Sequence, residues 1–152
     1  MKLSISFKHQ LFSECNRILY EKIKHLSSAL NDLTQGGESD AKSSAGDKHE
    51  TARAMLQIEH ENISRQLNEV LNEKNDLRRS ELGETSIVTR GSVVKTNRGC
   101  LFVGIALGKI TVDNIPVIVL SPQSPIGKKL LGLAVGASVV MNGTQYLIEE
   151  IL

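Results

Sequence analysis

Asp47 and Glu50 are the acids with the strongest claim on chemistry. They bracket Lys48-His49 at the end of Gln35–Glu50, a stretch with no aliphatic residue larger than Ala. Two carboxylates at this spacing suit the start of a helix. The Asp accepts from the first free backbone N–H groups, and the Glu favours the positive end of the helix dipole. His49 between them suggests a metal site. No second His stands four residues on, so it reads as a solvated side chain. Ser124 precedes Pro125 and fits a helix cap with a first-turn proline. No His or acid follows it in a pattern that would make it a nucleophile. Lys128-Lys129 is the only adjacent basic pair after Gly83, and as a bare pair it is a solvated face. Cys15 and Cys100 lie far apart, form no metal or redox spacing, and read as inert thiols. A reducing cytoplasm is the default location for such a chain.

The elements that must position these residues are two helices and a set of strands. Over residues 7–34, Phe12, Leu19, Ile23, Leu26, Leu30 and Leu33 alternate at three and four, with Asn16 filling the remaining seam position. Leu11, Cys15 and Ile18 broaden that stripe at its start. Over residues 47–80, Leu56, His60, Ile63, Leu67, Val70, Lys74 and Leu77 repeat the spacing, with His60 and Lys74 as polar, snorkelling or register-setting positions. The second helix would be roughly 50 Å long at 1.5 Å per residue. Met55, Ile58 and Leu71 lie off the seam without building a second face. The pattern predicts an antiparallel coiled-coil hairpin over 1–80, with its tip at about 35–50 and Gly36-Gly37 opening the turn.

From Gly83 the texture changes. Ile87-Val88, Val93-Val94, Leu101–Val103, Ile115–Leu120, Val139–Met141 and Tyr146–Ile148 are short runs rich in β-branched or aromatic residues, punctuated by Gly and Asx turns. Asn142-Gly143 is the strongest hairpin signal. A short helix is expected over 124–131. The fold class is therefore α+β, with a small sheet domain over 84–152.

Composition sets limits. The 152 residues are 40% hydrophobic, 3% aromatic and 23% charged, with a net charge of +1. Residues 1–79 carry 12 basic and 12 acidic side chains, and residues 80–152 carry 6 and 5. A sequence-independent duplex binder needs a strong basic excess, so nucleic acid is not expected as the main partner. The N-terminus lacks the apolar core of a signal peptide. The longest apolar run, Ile115–Leu120, is too short to span a bilayer.

Two motifs carry a resemblance. Ser124-Pro125-Ile126-Gly127-Lys128-Lys129-Leu130-Leu131-Gly132, then Gly136 and Val139-Val140, resembles the C-terminal motif of the GreA/GreB transcript-cleavage factors. Tyr146–Ile151 is similar to that family's last strand. Gly46-Asp47-Lys48-His49-Glu50 matches the family's tip pattern of Gly-Asp, two residues, Glu. The resemblance implies an FKBP-like C-terminal domain and an elongation factor that binds RNA polymerase as a monomer, without membrane contact. Its coiled coil would enter the secondary channel and touch nascent RNA indirectly. Asp47 and Glu50 would help hold a Mg²⁺ shared with the polymerase while backtracked RNA is cleaved. The factor would have no cofactor and no enzyme activity of its own. Two metals can stabilise the attacking and leaving oxygens of an in-line displacement. The resemblance assigns polymerase contact to Ser124, Pro125, Ile126, Lys128 and Lys129.

The tip departs from the family after Glu50. Asn, any residue, Glu, Tyr is replaced by Thr51, Ala52, Arg53 and Ala54. Ala137 also stands where an acid is common. The first departure suits a channel-binding regulator that does not stimulate cleavage. Two other classes compete. A prolyl isomerase would need an aromatic-lined pocket, and after Gly83 only Phe102 and Tyr146 are aromatic. A coiled-coil interaction protein would have partners outside transcription.

Overall fold

A computed structural model describes residues 2–42, 47–80 and 82–152, with side chains described for all of these except 37–42 and 47–49. Helix α1 spans Ile5–Lys42 and α2 spans Asp47–Arg78. No proline precedes Pro116, so nothing interrupts either backbone ladder. Ser4 starts α1, its Oγ accepting from the Phe7 N–H at 3.1 Å. Such a cap contributes about 1 kcal/mol.

At its far end α1 departs from expectation. The Gly36-Gly37 pair predicts an exit from the helix, yet the backbone stays helical through Lys42. A helical Gly costs only about 1 kcal/mol relative to Ala, and extending an existing ladder is easier than nucleating a new one. Gly46, and with it the first position of the tip motif, lies outside the described residues.

The chain forms two compact units. One is Ile18–Lys74, and the other joins Met1–Arg17 to Asn75–Leu152. The division runs through both helices rather than after them. In the first unit the helices meet along the expected seam. Leu19 and Val70 are buried, while Ile23, Leu26, Leu30, Leu33, Leu56, Ile63 and Leu67 are half-buried. His60 is exposed, as a polar seam position should be in a two-helix contact open to water. Met55, Ile58 and Leu71 stay exposed off the seam.

In the second unit Leu3, just ahead of α1, and Phe7, Leu11 and Cys15 at its start are buried at four-residue intervals. Phe12 is only half-buried, so Leu11 and Cys15 are the centre of this stripe and not its margin. The strands are β1 (Val93–Thr96), β2 (Gly99–Val103), β3 (Gly108–Val112), β4 (Ile115–Leu120), β5 (Ser138–Met141) and β6 (Thr144–Ile151), with helix α3 (Pro125–Leu130) between β4 and β5. They make one six-stranded sheet in the order β3-β4-β2-β1-β6-β5. Only β2 and β4 are parallel. Their crossover passes through β3, which was not anticipated. Its residues Gly108 and Lys109 have low strand propensity, and its pairing to β4 depends on a two-residue turn. Asp113 and Asn114 adopt φ of 50° and 62° there, the left-handed pair of a type I′ turn. The predicted Asn142-Gly143 hairpin uses the same geometry, with φ of 51° and 75°. Ile87-Val88 forms no strand, only a bridge from Ile87 to Ala134.

Pleating divides the sheet's core in two. Val94, Leu101, Val103, Leu120, Val139 and Ile148 pack with Val88 and Leu130 of α3 on one face. Val93, Phe102 and Val119 form one cross-strand row on the other, with Cys100 and Val117 in the next. All five are buried, in the same unit as the apolar stripe of α1.

Candidate functional site

The residues singled out by their chemistry fall into two groups, one in each compact unit. Asp47 is the first residue of α2, and Glu50 stands in its opening turn with an exposed side chain. The side chains of Asp47, Lys48 and His49 lie outside the described residues. A carboxylate pair supplies the hard oxygen ligands Mg²⁺ prefers, but too few for its octahedral shell, so the remaining ligands must come from water and a second molecule. Among the described residues no group of three or more His, Cys, Asp or Glu could hold a metal ion.

The second group is built on α3. Ser124 caps the helix with φ −65° and ψ 159°, its Oγ accepting from the Gly127 N–H at 3.1 Å. The same hydroxyl donates to the Ser121 carbonyl at 2.6 Å. Pro125 follows in the first turn, where its missing N–H is not needed. Ile126 packs half-buried against the core cluster. Lys129 Nζ donates to the Val140 carbonyl at 2.7 Å, tying α3 to β5. Ser124, Ile126 and Lys129 thus have contacts within the fold. Pro125 and Lys128 are exposed.

Gly127 is a requirement that spacing alone does not reveal. A Cβ there would stand 2.2 Å from the Ser121 carbonyl oxygen. Lys8 is a second one. It is fully buried, and its Nζ donates to the Gly83 carbonyl at 2.7 Å. Nothing in the local pattern marks it, because Lys8 sits beside the stripe position Phe7. Its aliphatic stem can pack while the ammonium finds a backbone acceptor.

The thiols behave as inert groups. Burial, with a smaller push from Glu14, raises the Cys15 thiol to about 12, and burial also raises Cys100. Neither is a thiolate near neutral pH. Glu14 is held below the usual carboxylate range by its hydrogen bonds to Arg17, at 2.7 and 3.0 Å. Both line an open cleft of about 750 Å³ with His9, Ser13, Thr111 and Asp113. The aromatic pocket an isomerase would need is missing among the described residues. Phe102 is fully buried, and Tyr146 packs half-buried against the core. No described helix is long and apolar enough to cross a membrane.

No family model and no curated protein matches the chain. The solved structures that resemble it include two of Gfh1. The GreA factor homolog 1 (Gfh1) protein of Thermus thermophilus is 18% identical, with 90% of this chain and 93% of that chain covered and a TM-score of 0.35. A second structure, of the transcription factor Gfh1, is 20% identical, with 89% and 91% covered and a TM-score of 0.35.

Proposed function

We propose that this chain is an RNA polymerase-binding elongation factor of the Gre type, whose hairpin presents Asp47 and Glu50 to the polymerase active centre. One observation carries the reading. The acid pair of the family's tip motif falls on the opening turn of α2, at the connection end of a two-helix hairpin, with Glu50 exposed to solvent. The Ser124-capped α3 against a small mixed sheet supports it from the other unit. In this reading the protein has no catalytic site of its own. Bound Mg²⁺ would supply charge stabilisation for an in-line displacement on the RNA. The chain's own acids would orient that ion and its water from the end of a stiff support.

A second reading is favoured by Thr51, Ala52, Arg53 and Ala54, which replace the family's continuation after Glu50. It keeps polymerase binding and removes cleavage. The deciding assay is transcript cleavage by backtracked polymerase, with wild type, Asp47→Ala and Glu50→Ala. Stimulation lost in both variants supports the cleavage reading. Binding without stimulation selects the second. Stimulation unchanged in both variants rules out the metal-ligand role.

A further inference from the structure

The six-stranded sheet ends in β3 on one side and β5 on the other. An edge strand offers unpaired backbone groups to any second strand, and a lysine there is a common guard. β3 carries its own, the exposed Lys109. β5 reads Ser138-Val139-Val140-Met141 and has no charged residue. Which of its groups face outward follows from the hairpin. Met141 and Thr144 flank the two-residue turn and exchange both ladder bonds, and bonded pairs recur at every second residue. Val139 and Tyr146 are the next such pair. The Ile148 N–H, donating to the Ala137 carbonyl at 2.9 Å, belongs to the pair after that. The N–H and C=O groups of Ser138 and Val140 therefore point away from β6. Lys129 Nζ, reaching from α3, donates to one of them, the Val140 carbonyl, at 2.7 Å. Among the described residues nothing in the fold takes the others.

The edge is also apolar on one face. Val139 packs in the core cluster, so Val140 projects from the opposite face, 53% exposed. Tyr146 and Ile148 pack with that core too, so Leu147 shares the face of Val140 and is 41% exposed. A second copy of the chain fits this edge by two-fold symmetry. Antiparallel pairing centred on Val139 sets Ser138 of each copy opposite Val140 of the other. Each such pair exchanges two bonds, so every outward group finds its complement. Leu147 lies opposite Ser138 in the hairpin, so its row would continue through Ser138 to Val140 of the other copy. The Lys129 ammonium stands in the way, because it already holds the Val140 carbonyl.

We propose that β5 is a pairing edge for a second copy of this chain, and that Lys129 keeps the chain monomeric by occupying the Val140 carbonyl. The borrowed charge does for β5 what Lys109 does for β3. This holds whether or not the chain binds polymerase, and the test uses the chain alone.

The test is analytical ultracentrifugation of the full-length chain, with circular dichroism to confirm that each variant is folded. Lys129→Ala and Lys129→Met remove the donor, the second keeping most of the stem. Lys128→Ala makes the same charge change at the exposed neighbour. Wild type and Lys128→Ala are expected to stay monomeric up to about 1 mM. Both Lys129 variants should dimerise at least about tenfold more tightly than wild type. Adding Val140→Lys to either sets like charges diagonally across the two-fold and should restore the monomer. Hydrogen exchange at the Ser138 and Val140 amides should slow with concentration in the Lys129 variants alone. Folded Lys129 variants that stay monomeric, or a wild type or Lys128→Ala that dimerises equally well, would overturn the guarding role. Association that survives Val140→Lys, or that leaves those two amides exchanging freely, would overturn the β5 interface.

Discussion

Replacing Gly127 with Ala sets two physical effects against each other, and the structure decides the sign. Helix propensity favours Ala over Gly by about 1 kcal/mol. The added Cβ, however, would sit 2.2 Å from the Ser121 carbonyl oxygen, 2.9 Å from Ser124 Oγ and 3.0 Å from the Pro122 carbonyl carbon. Two of these atoms are backbone and cannot swing aside as a side-chain tip can. Relief requires shifting the Ser121-Pro122 turn or tilting α3, which also disturbs the Ser124 cap. Overpacking of this kind costs about 1–3 kcal/mol, and the cap contributes about 1 kcal/mol more. After subtracting the propensity gain, Gly127→Ala should destabilise the sheet unit by about 1–3 kcal/mol. Calorimetry on the full-length chain should show its transition lowered by roughly 5–20 °C. Gly83→Ala is the control. Nothing lies within 4 Å of its Cβ, so that change should be neutral or stabilise by up to about 1 kcal/mol through the unfolded chain. A Gly127→Ala protein that melts at or above wild type would refute the close approach at α3.

Cys15 should resist a thiol reagent at pH 8 in the native protein and react fully in denaturant, because its thiol is held up at about 12. The sign of the linked stability follows. The folded pKa lies above the unfolded one, so this contribution is complete below about pH 9 and is lost as pH rises toward 12. Cys15→Ala should therefore flatten the alkaline limb of a stability-against-pH curve, and an unchanged limb would contradict the burial of that thiol. Lys8→Met keeps most of the buried stem but leaves the Gly83 carbonyl without its lysine donor, at a cost of about 1–3 kcal/mol. Lys8→Ala adds a cavity and should cost more, in the range of about 2–5 kcal/mol for a large buried side chain. Urea denaturation checks that order, and a neutral Lys8→Ala would refute the burial.

What could be read from residues alone was whatever depends on local spacing. The hairpin seam is legible because Ile23, Leu26, Leu30, Leu33, Ile63, Leu67 and Val70 repeat at three and four. The Ser124 cap and the Asn142-Gly143 turn are legible because each is specified by adjacent residues. The failures share a cause. The helix past Gly36-Gly37 depends on cooperative extension, β3 on pairing to β4, and Lys8 on a carbonyl far along the chain. The need for Gly at 127 depends on Ser121, which only the folded turn brings within 2.2 Å of the new Cβ. At the candidate sites the motif located α3 correctly but did not say which of its residues face solvent.

The proposed division of labour between the two units makes a prediction that neither unit makes alone. Two carboxylates are a thin ligand set for Mg²⁺, which holds its waters firmly and is usually gripped through one or two acids plus other groups. The tip therefore contributes little to affinity. In the polymerase-binding reading, contact energy comes from the rest of the chain. Lost anchoring and lost chemistry then separate in a titration of factor against cleavage rate. A substitution that weakens polymerase binding about tenfold, or about 1.4 kcal/mol, should raise the half-saturating concentration by that factor and leave the plateau unchanged. Asp47→Ala or Glu50→Ala should lower the plateau by a large factor and leave the half-saturating concentration near wild type. The distinction is physical. An interaction made equally before and during the reaction changes only binding, whereas one made in the transition state changes the rate at saturation. If the tip variants raise the half-saturating concentration in proportion to the rate lost, anchoring and chemistry are not divided between the two units in this way.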